Sequence, residues 1–480
     1  ARNAFGSIGG ILDHCFNEDY IRKLVAEKDP VKAKAKRPIR LAVIQLGTYD
    51  GCIYNARQVV DRIGHLCDYI FFDSAWVGYE EFIPMMKDCS PLLLDLGPED
   101  PGIFVSQSVH KQQAGFSMTS MVHKKDAHIK GQDRYVPHKR VNNAFMMHAS
   151  TSPLYQLFAA LDVNAKMHEG EAGKKLWADA VKLVINTRKQ VLRNCHYIRP
   201  LVPPVVYGKK WEDGDTDKMA NDMNYWAFEP GAKWHGFEGY AKGQYFIDPM
   251  KLQFVTAGID VEHGGYEKFG IPGNILANYL RENGIIPEKC DLNDILFLMT
   301  PAETATKMDD LVAKLVRFEK LIDEDAPMSE VLPSIYKAYQ DKYKGYTIRR
   351  LCQEMHDFYK DREVSTLQKE LFLKDYFPKY VMNPQEAQYE FMRGHGELVD
   401  LAEAEGRTAL EGALPYPPGV ICVHAGEAWT KTAVAYFLDL VEGINQLPGF
   451  APEIQGVYVQ EGEDGLKHAY GYVLKKEFEK

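Results

Sequence analysis

Three apolar runs, each closed by a polar turn, constrain the first third of this chain more than any other feature. They are Arg40-Leu-Ala-Val-Ile-Gln-Leu46, Cys67-Asp-Tyr-Ile-Phe-Phe72 and Gly102-Ile-Phe-Val105. Near-continuous runs of this kind predict parallel strands buried on both faces. After the first run comes the turn Gly47-Thr-Tyr-Asp-Gly51, and then Asn55 to Leu66 carries apolar residues at helical spacing. Strands alternating with helices predict a parallel α/β sheet. In such sheets functional groups gather just beyond the C-terminal ends of the strands.

The rest of the chain is mixed. Residues 153 to 195 read as one long helical region, with Leu154, Leu157, Phe158 and Leu161 on a stripe. Lys251-Leu-Gln-Phe-Val255 reads as a strand, and Ile285 to Met299 as a hairpin or strand pair. From about residue 330 the chain is helical and charged, up to a Pro-rich turn, Ala413-Leu-Pro-Tyr-Pro-Pro-Gly419. Linkers are expected near 165–175 and 323–332. At 480 residues there is room for about three domains.

Composition narrows the function. With 57 Lys and Arg against 67 Asp and Glu, the net charge of −10 disfavours non-specific binding to nucleic acid or to an anionic membrane. No apolar run approaches the roughly 20 residues of a membrane helix. The eight cysteines form no C-x-x-C pair, and no H-E-x-x-H occurs among the 15 histidines, so no metal site is expected. Scattered thiols of this kind suit a reducing, cytoplasmic setting.

Two strand ends carry residues suited to chemistry. Asp73 directly follows Phe72; at a strand C-terminal end it can face a ligand, or it can cap a helix. The segment Ser106-Gln-Ser-Val-His-Lys-Gln-Gln-Ala-Gly-Phe-Ser117 places Ser108, His110 and Lys111 beyond the third run. A lysine that is partly desolvated or held beside other cations loses its proton readily and becomes a nucleophile for Schiff-base chemistry. Ser108 and His110 suit a phosphate. The plain alternative is a solvated loop of ordinary turn residues. Two weaker features read as structural: Gly6-Ser-Ile-Gly-Gly10 as a flexible turn rather than a phosphate cradle, and the lysines and arginines between His123 and Arg140 as a solvated basic face.

Together the segments 106–117 and Phe72-Asp-Ser-Ala-Trp-Val-Gly-Tyr79 resemble the bacterial ornithine decarboxylases. These belong with the lysine and arginine decarboxylases of the aspartate-aminotransferase-like fold that use pyridoxal phosphate. The resemblance continues through Gly47–Gly51, Phe228–Tyr240, Pro287–Asn293 and Ala413–Gly419, in order along nearly the whole chain. It implies an α/β large domain over 1–168, an α+β small domain over 169–326 and a C-terminal α+β domain over 327–480. It implies decarboxylation of L-ornithine to putrescine and CO2, in polyamine biosynthesis or an acid response; lysine or arginine as substrate, or a non-catalytic regulatory subunit, are the alternatives.

The resemblance also implies roles. Lys111 would carry pyridoxal phosphate as a Schiff base, Asp73 would pair with the ring nitrogen, Ala75 would pack under the ring and Trp76 would wall the pocket. Ser108 and His110 would bind the phosphate. Ser150, Thr151 and Ser152 would reach the phosphate of a partner subunit, making a homodimer or larger homo-oligomer with a shared site. Glu288 would bind the substrate's distal amine, unless it is a surface strand charge. Relatives carry an upstream segment with a phosphate cup and a ring-stacking histidine. This chain is expected to be their C-terminal two-thirds, with the upstream part on another chain or cut away, and to hold the cofactor weakly alone.

Overall fold

The computed structural model describes residues 1–416 and 419–479. After helix α1 (Glu18–Lys28), the three apolar runs form strands β1 (Ile39–Gln45), β3 (Cys67–Asp73) and β4 (Gly102–Gln107), with the short β2 (Cys52–Tyr54) and helix α2 (Ala56–Ile63) between the first two. β1, β3 and β4 are parallel, as the runs predict. The fourth strand, β5 (Met121–Lys125), is antiparallel to β4, so the sheet is mixed. The register aligns the strand ends: Gln45 lies opposite Asp73, and Asp73 opposite Ser106.

One expectation fails at β1. It is the sheet edge, and Leu41 and Val43 are 49% and 62% exposed, so it is not buried on both faces. An apolar run reports what a strand can bury; the sheet order decides how much is covered. α2 behaves as its spacing predicts: Asn55 caps it and Val59, Val60 and Ile63 face the core.

The long helical region is two helices, α5 (Tyr155–Met167) and α6 (Gly170–Asn194), broken at His168 and Glu169. α6 buries Trp177, Val181, Val184 and Ile185. α5 does not follow suit. Leu154 and Phe158 of the expected stripe are exposed, as are Phe145 and Met147 on and after the preceding α4 (His138–Met146). A second, antiparallel sheet runs in the order 289–291, 294–298, 251–256 and β6 (Ile198–Pro200), which confirms the hairpin and the strand at Lys251. Glu319, on the helix Ala305–Asp323, accepts hydrogen bonds from the backbone N–H groups of His196, Tyr197 and Ile198 and so ties β6 to that helix.

Beyond residue 327 the chain is less purely helical than its charge pattern suggests. Helices Ile348–Asp361 and Lys431–Gln446 accompany a three-stranded antiparallel sheet of 396–400, 467–474 and 458–461. The Pro-rich turn is described only in part, since Pro417 and Pro418 lie outside the described residues. Among the described residues, no helix is long and apolar enough to cross a membrane.

The two weaker features are both structural, though neither is what it resembles. Residues 5–10 are no flexible turn: Phe5 and Ser7 are buried, and a Cβ on Gly9 would fall 2.1 Å from the Tyr240 hydroxyl. The basic stretch is only partly solvated. Lys124 pairs with Asp126 at 2.5 Å, and Lys125 donates to the carbonyls of Leu92 and Leu94.

Candidate active site

The aligned strand ends carry the site. Asp73 ends β3, and no helix begins there, so it is not a helix cap. Its Oδ1 accepts from the Ala75 N–H at 3.0 Å and from the Ser106 hydroxyl at 3.3 Å, the latter across the β3–β4 register. Among the described residues, Oδ2 has no partner. Asp73 is therefore held at one oxygen and presents the other.

Beyond β4 the chain turns into a four-residue helix, α3 (Val109–Gln112). Ser108 stands at its N-cap, yet its hydroxyl makes no capping bond. The His110 Nδ1 bonds to the Thr119 carbonyl at 2.7 Å, so Nδ1 carries a proton and Nε2 is left without a partner among the described residues. Gln112 locks the helix, donating to the Met299 carbonyl and accepting from the Tyr79 hydroxyl. Lys111 is half-buried, with Nζ 3.8 Å from the centroid of the Trp76 ring. Burial lowers its pKa from the ordinary lysine range, while Asp73 and Glu288 oppose the shift. The solvated-loop alternative fails for residues 106–112 and holds for Phe116 to Met118, which are exposed outside any helix or strand.

Glu288 is half-buried and not a free surface charge. Its Oε1 accepts from the Tyr49 hydroxyl at 2.7 Å, and the Tyr49 ring packs on Trp76 at 4.4 Å between centroids. The structure thus brings together Lys111, Asp73, Trp76 and Glu288, with Ala75, Ser108 and His110 on the same two strand ends. It does not bring Ser150, Thr151 or Ser152 to them. Those residues are exposed between α4 and α5, and their hydrogen bonds join only Ser150 and Ser152.

Three groups went unnoticed in the sequence. Tyr49 holds Glu288. Asp50, next to it, takes the fully buried Lys289 ammonium on both oxygens at 2.7 and 2.8 Å. Lys251 is 1% exposed, its Nζ lies 4.5 Å from the Trp76 centroid, and among the described residues that nitrogen has no hydrogen-bond partner. Burial pushes its pKa down to about 8; Asp248 and Glu288 pull the other way, and Lys111 adds to the fall. The available signals were a tyrosine at the end of β1 and a lysine opening an apolar strand.

Comparison with known proteins bears on this geometry. Residues 1–307 match the family described as Orn/Lys/Arg decarboxylase, major domain, and residues 365–475 match its C-terminal domain. The chain is 65% identical over 475 residues to the inducible ornithine decarboxylase of Escherichia coli (strain K12), covering 99% of this chain and 65% of that protein. It is 65% identical over 474 residues to the ornithine decarboxylase of Haemophilus influenzae (strain ATCC 51907 / DSM 11121 / KW20 / Rd), covering 99% of this chain and 66% of that one. The chain thus spans about two thirds of the length of these relatives. The lysine decarboxylase LdcA of Pseudomonas aeruginosa is 33% identical, with 97% of this chain and 61% of that protein covered. Among solved structures, lysine decarboxylase A from Pseudomonas aeruginosa superposes with a TM-score of 0.87 at 31% identity, covering 99% of this chain and 62% of that one.

Proposed function

This chain belongs to the Orn/Lys/Arg decarboxylase family, and from that premise we propose that it decarboxylates L-ornithine to putrescine and CO2 at the site built on Lys111, Asp73 and Glu288. The observation that carries the reading is Lys111. A half-buried amine rests on an indole, its proton loosened by burial, with one carboxylate acting on it from β3 and another from the second sheet. The choice of ornithine is supported by relatives named ornithine decarboxylases at 62–65% identity, against 33% for those named lysine decarboxylases.

The residues present fit pyridoxal phosphate. An amine stands at two adjacent strand ends with a carboxylate oxygen, a hydroxyl and an imidazole nitrogen that have no partner among the described residues. Bound there, the cofactor supplies an aldehyde for Lys111 and a conjugated ring that takes up the electrons of the broken C–C bond. The chain supplies the rest. Lys111 must be neutral to attack, and its burial favours that form. Asp73 Oδ2 would pair with the ring nitrogen. Ser108 Oγ and His110 Nε2 would hold the phosphate. Glu288 anchors the distal ammonium, fixing the angle at which the carboxylate leaves. Trp76 would pack beside Lys111. Lys111 Nζ, beside Trp76, would be one candidate to return a proton to Cα.

The exposed Ser150–Ser152 loop fits a second copy of the chain, whose phosphate site it would complete. The apolar surface of Phe145, Met147, Leu154 and Phe158 around it supports that association. Eight unpaired thiols support a cytoplasmic setting. Comparative turnover tests the reading: ornithine should be consumed faster than lysine and arginine, and Lys111→Ala should abolish all three. Brisk lysine turnover with none on ornithine would overturn the substrate assignment.

A further inference from the structure

The turn Gly47–Gly51 takes part in no step above, yet it touches the substrate anchor. It is tightly built. Gly51 has φ +87°, and a Cβ there would fall 2.5 Å from Cβ of Lys251, so the turn is pressed against the second sheet. Thr48 binds it to the Ile8 carbonyl and caps the Cys52 N–H.

Two consecutive residues of this turn grip two consecutive residues of the second sheet. Tyr49 donates to Glu288, and Asp50 accepts from Lys289. The Asp50–Lys289 pair is sealed from water, at 1% and 0% side-chain exposure, and Asp50 also accepts from the Ile8 N–H at 2.7 Å. Asp50 therefore fixes how the turn docks, and Tyr49, one residue away, is aimed by that docking. The other face of Tyr49 packs on Trp76, on which Lys111 also rests. Tyr49 thus spans the interval between the reacting end of the site and its anchoring carboxylate.

We infer that Tyr49 is a positioning residue that holds the Glu288 carboxylate at the reach of ornithine, so that the turn measures substrate length. The inference rests on the reading of Glu288 as the anchor of the distal ammonium. The phenol occupies Oε1 and leaves Oε2 for the substrate. A substrate one methylene longer must push Glu288 back, which breaks the Tyr49 bond or strains the Trp76 contact. Burial, and then Glu288 itself, raise the Tyr49 pKa well above the usual range, so the phenol remains a donor at every working pH.

The test is a double-mutant cycle on the protein loaded with pyridoxal phosphate. kcat and KM are measured for ornithine and lysine in Tyr49→Phe, Glu288→Gln and the double variant. Phenylalanine keeps the ring on Trp76 and removes only the hydroxyl. Tyr49→Phe should raise KM for ornithine about tenfold with kcat little changed, and lower the ornithine-to-lysine ratio of kcat/KM by about tenfold, the scale on which one methylene is discriminated. In the Glu288→Gln background it should add nothing. An unchanged KM and ratio, or additive effects, would overturn the inference while leaving the anchor intact. An unchanged ornithine KM in Glu288→Gln alone would overturn the anchor, and this inference with it.

Discussion

A lysine ammonium buried without a hydrogen-bond partner costs a protein several kcal/mol unless it gives up its proton. Lys251 is in that position, and its pKa of about 8 is the consequence. The folded state holds this proton less tightly than the unfolded chain, where a lysine titrates near 10.4. Below about pH 8 the full penalty is present. It is relieved as pH rises towards 10.4, because over that span the unfolded chain binds more protons. Lys251→Met should therefore raise stability by about 1–3 kcal/mol at pH 7, read from the urea midpoint. The gain should fade between about pH 8 and 10.4; a loss of stability at pH 7 would contradict this account. At this scale the sequence was informative about place. Lys111, Asp73, Ser108 and His110 stand at strand ends, where sheets of this kind put their chemistry. Tyr49 and Lys251 act through side chains distant in sequence, and no spacing reports such contacts.

Elements were legible wherever a periodicity met a single environment. The three apolar runs, α2 and the hairpin near residue 290 appear where the pattern places them. The failures share a cause, which is that sequence pattern does not encode what covers a surface. β1 is largely apolar but lies at an edge, and Leu154 and Phe158 of the apolar stripe at α5 are exposed. Residues 5–10 look like a loose glycine turn because the aromatic rings that press on them belong to residues more than 200 positions away. A fastening of the same long-range kind ties β6 to its helix. Glu319 is 3% exposed and accepts three backbone N–H bonds of 2.7–2.8 Å. Glu319→Gln turns an amide NH2 toward those donors and removes the charge, so it should cost about 3 kcal/mol. Thermal unfolding measures this, and a midpoint within a degree of the parent would show that the fastening is dispensable.

Across the whole molecule, two sheets meet at one place. The first sheet brings Asp73, Trp76 and Lys111, the second brings Glu288 and Lys251, and the turn 47–51 joins them. That convergence was visible in the sequence only through the resemblance, because the second sheet's contribution lies about 180 residues from the first. The family assignment rests on matches along nearly the full chain, and the chemistry rests on one amine. The most direct test is to incubate the protein with pyridoxal phosphate, reduce with borohydride and map the modified peptide, since reduction captures even a weakly held adduct. This account predicts that the pyridoxyl group is recovered on Lys111. Label spread over surface lysines, or fixed on another lysine with Lys111 unmodified, would contradict it.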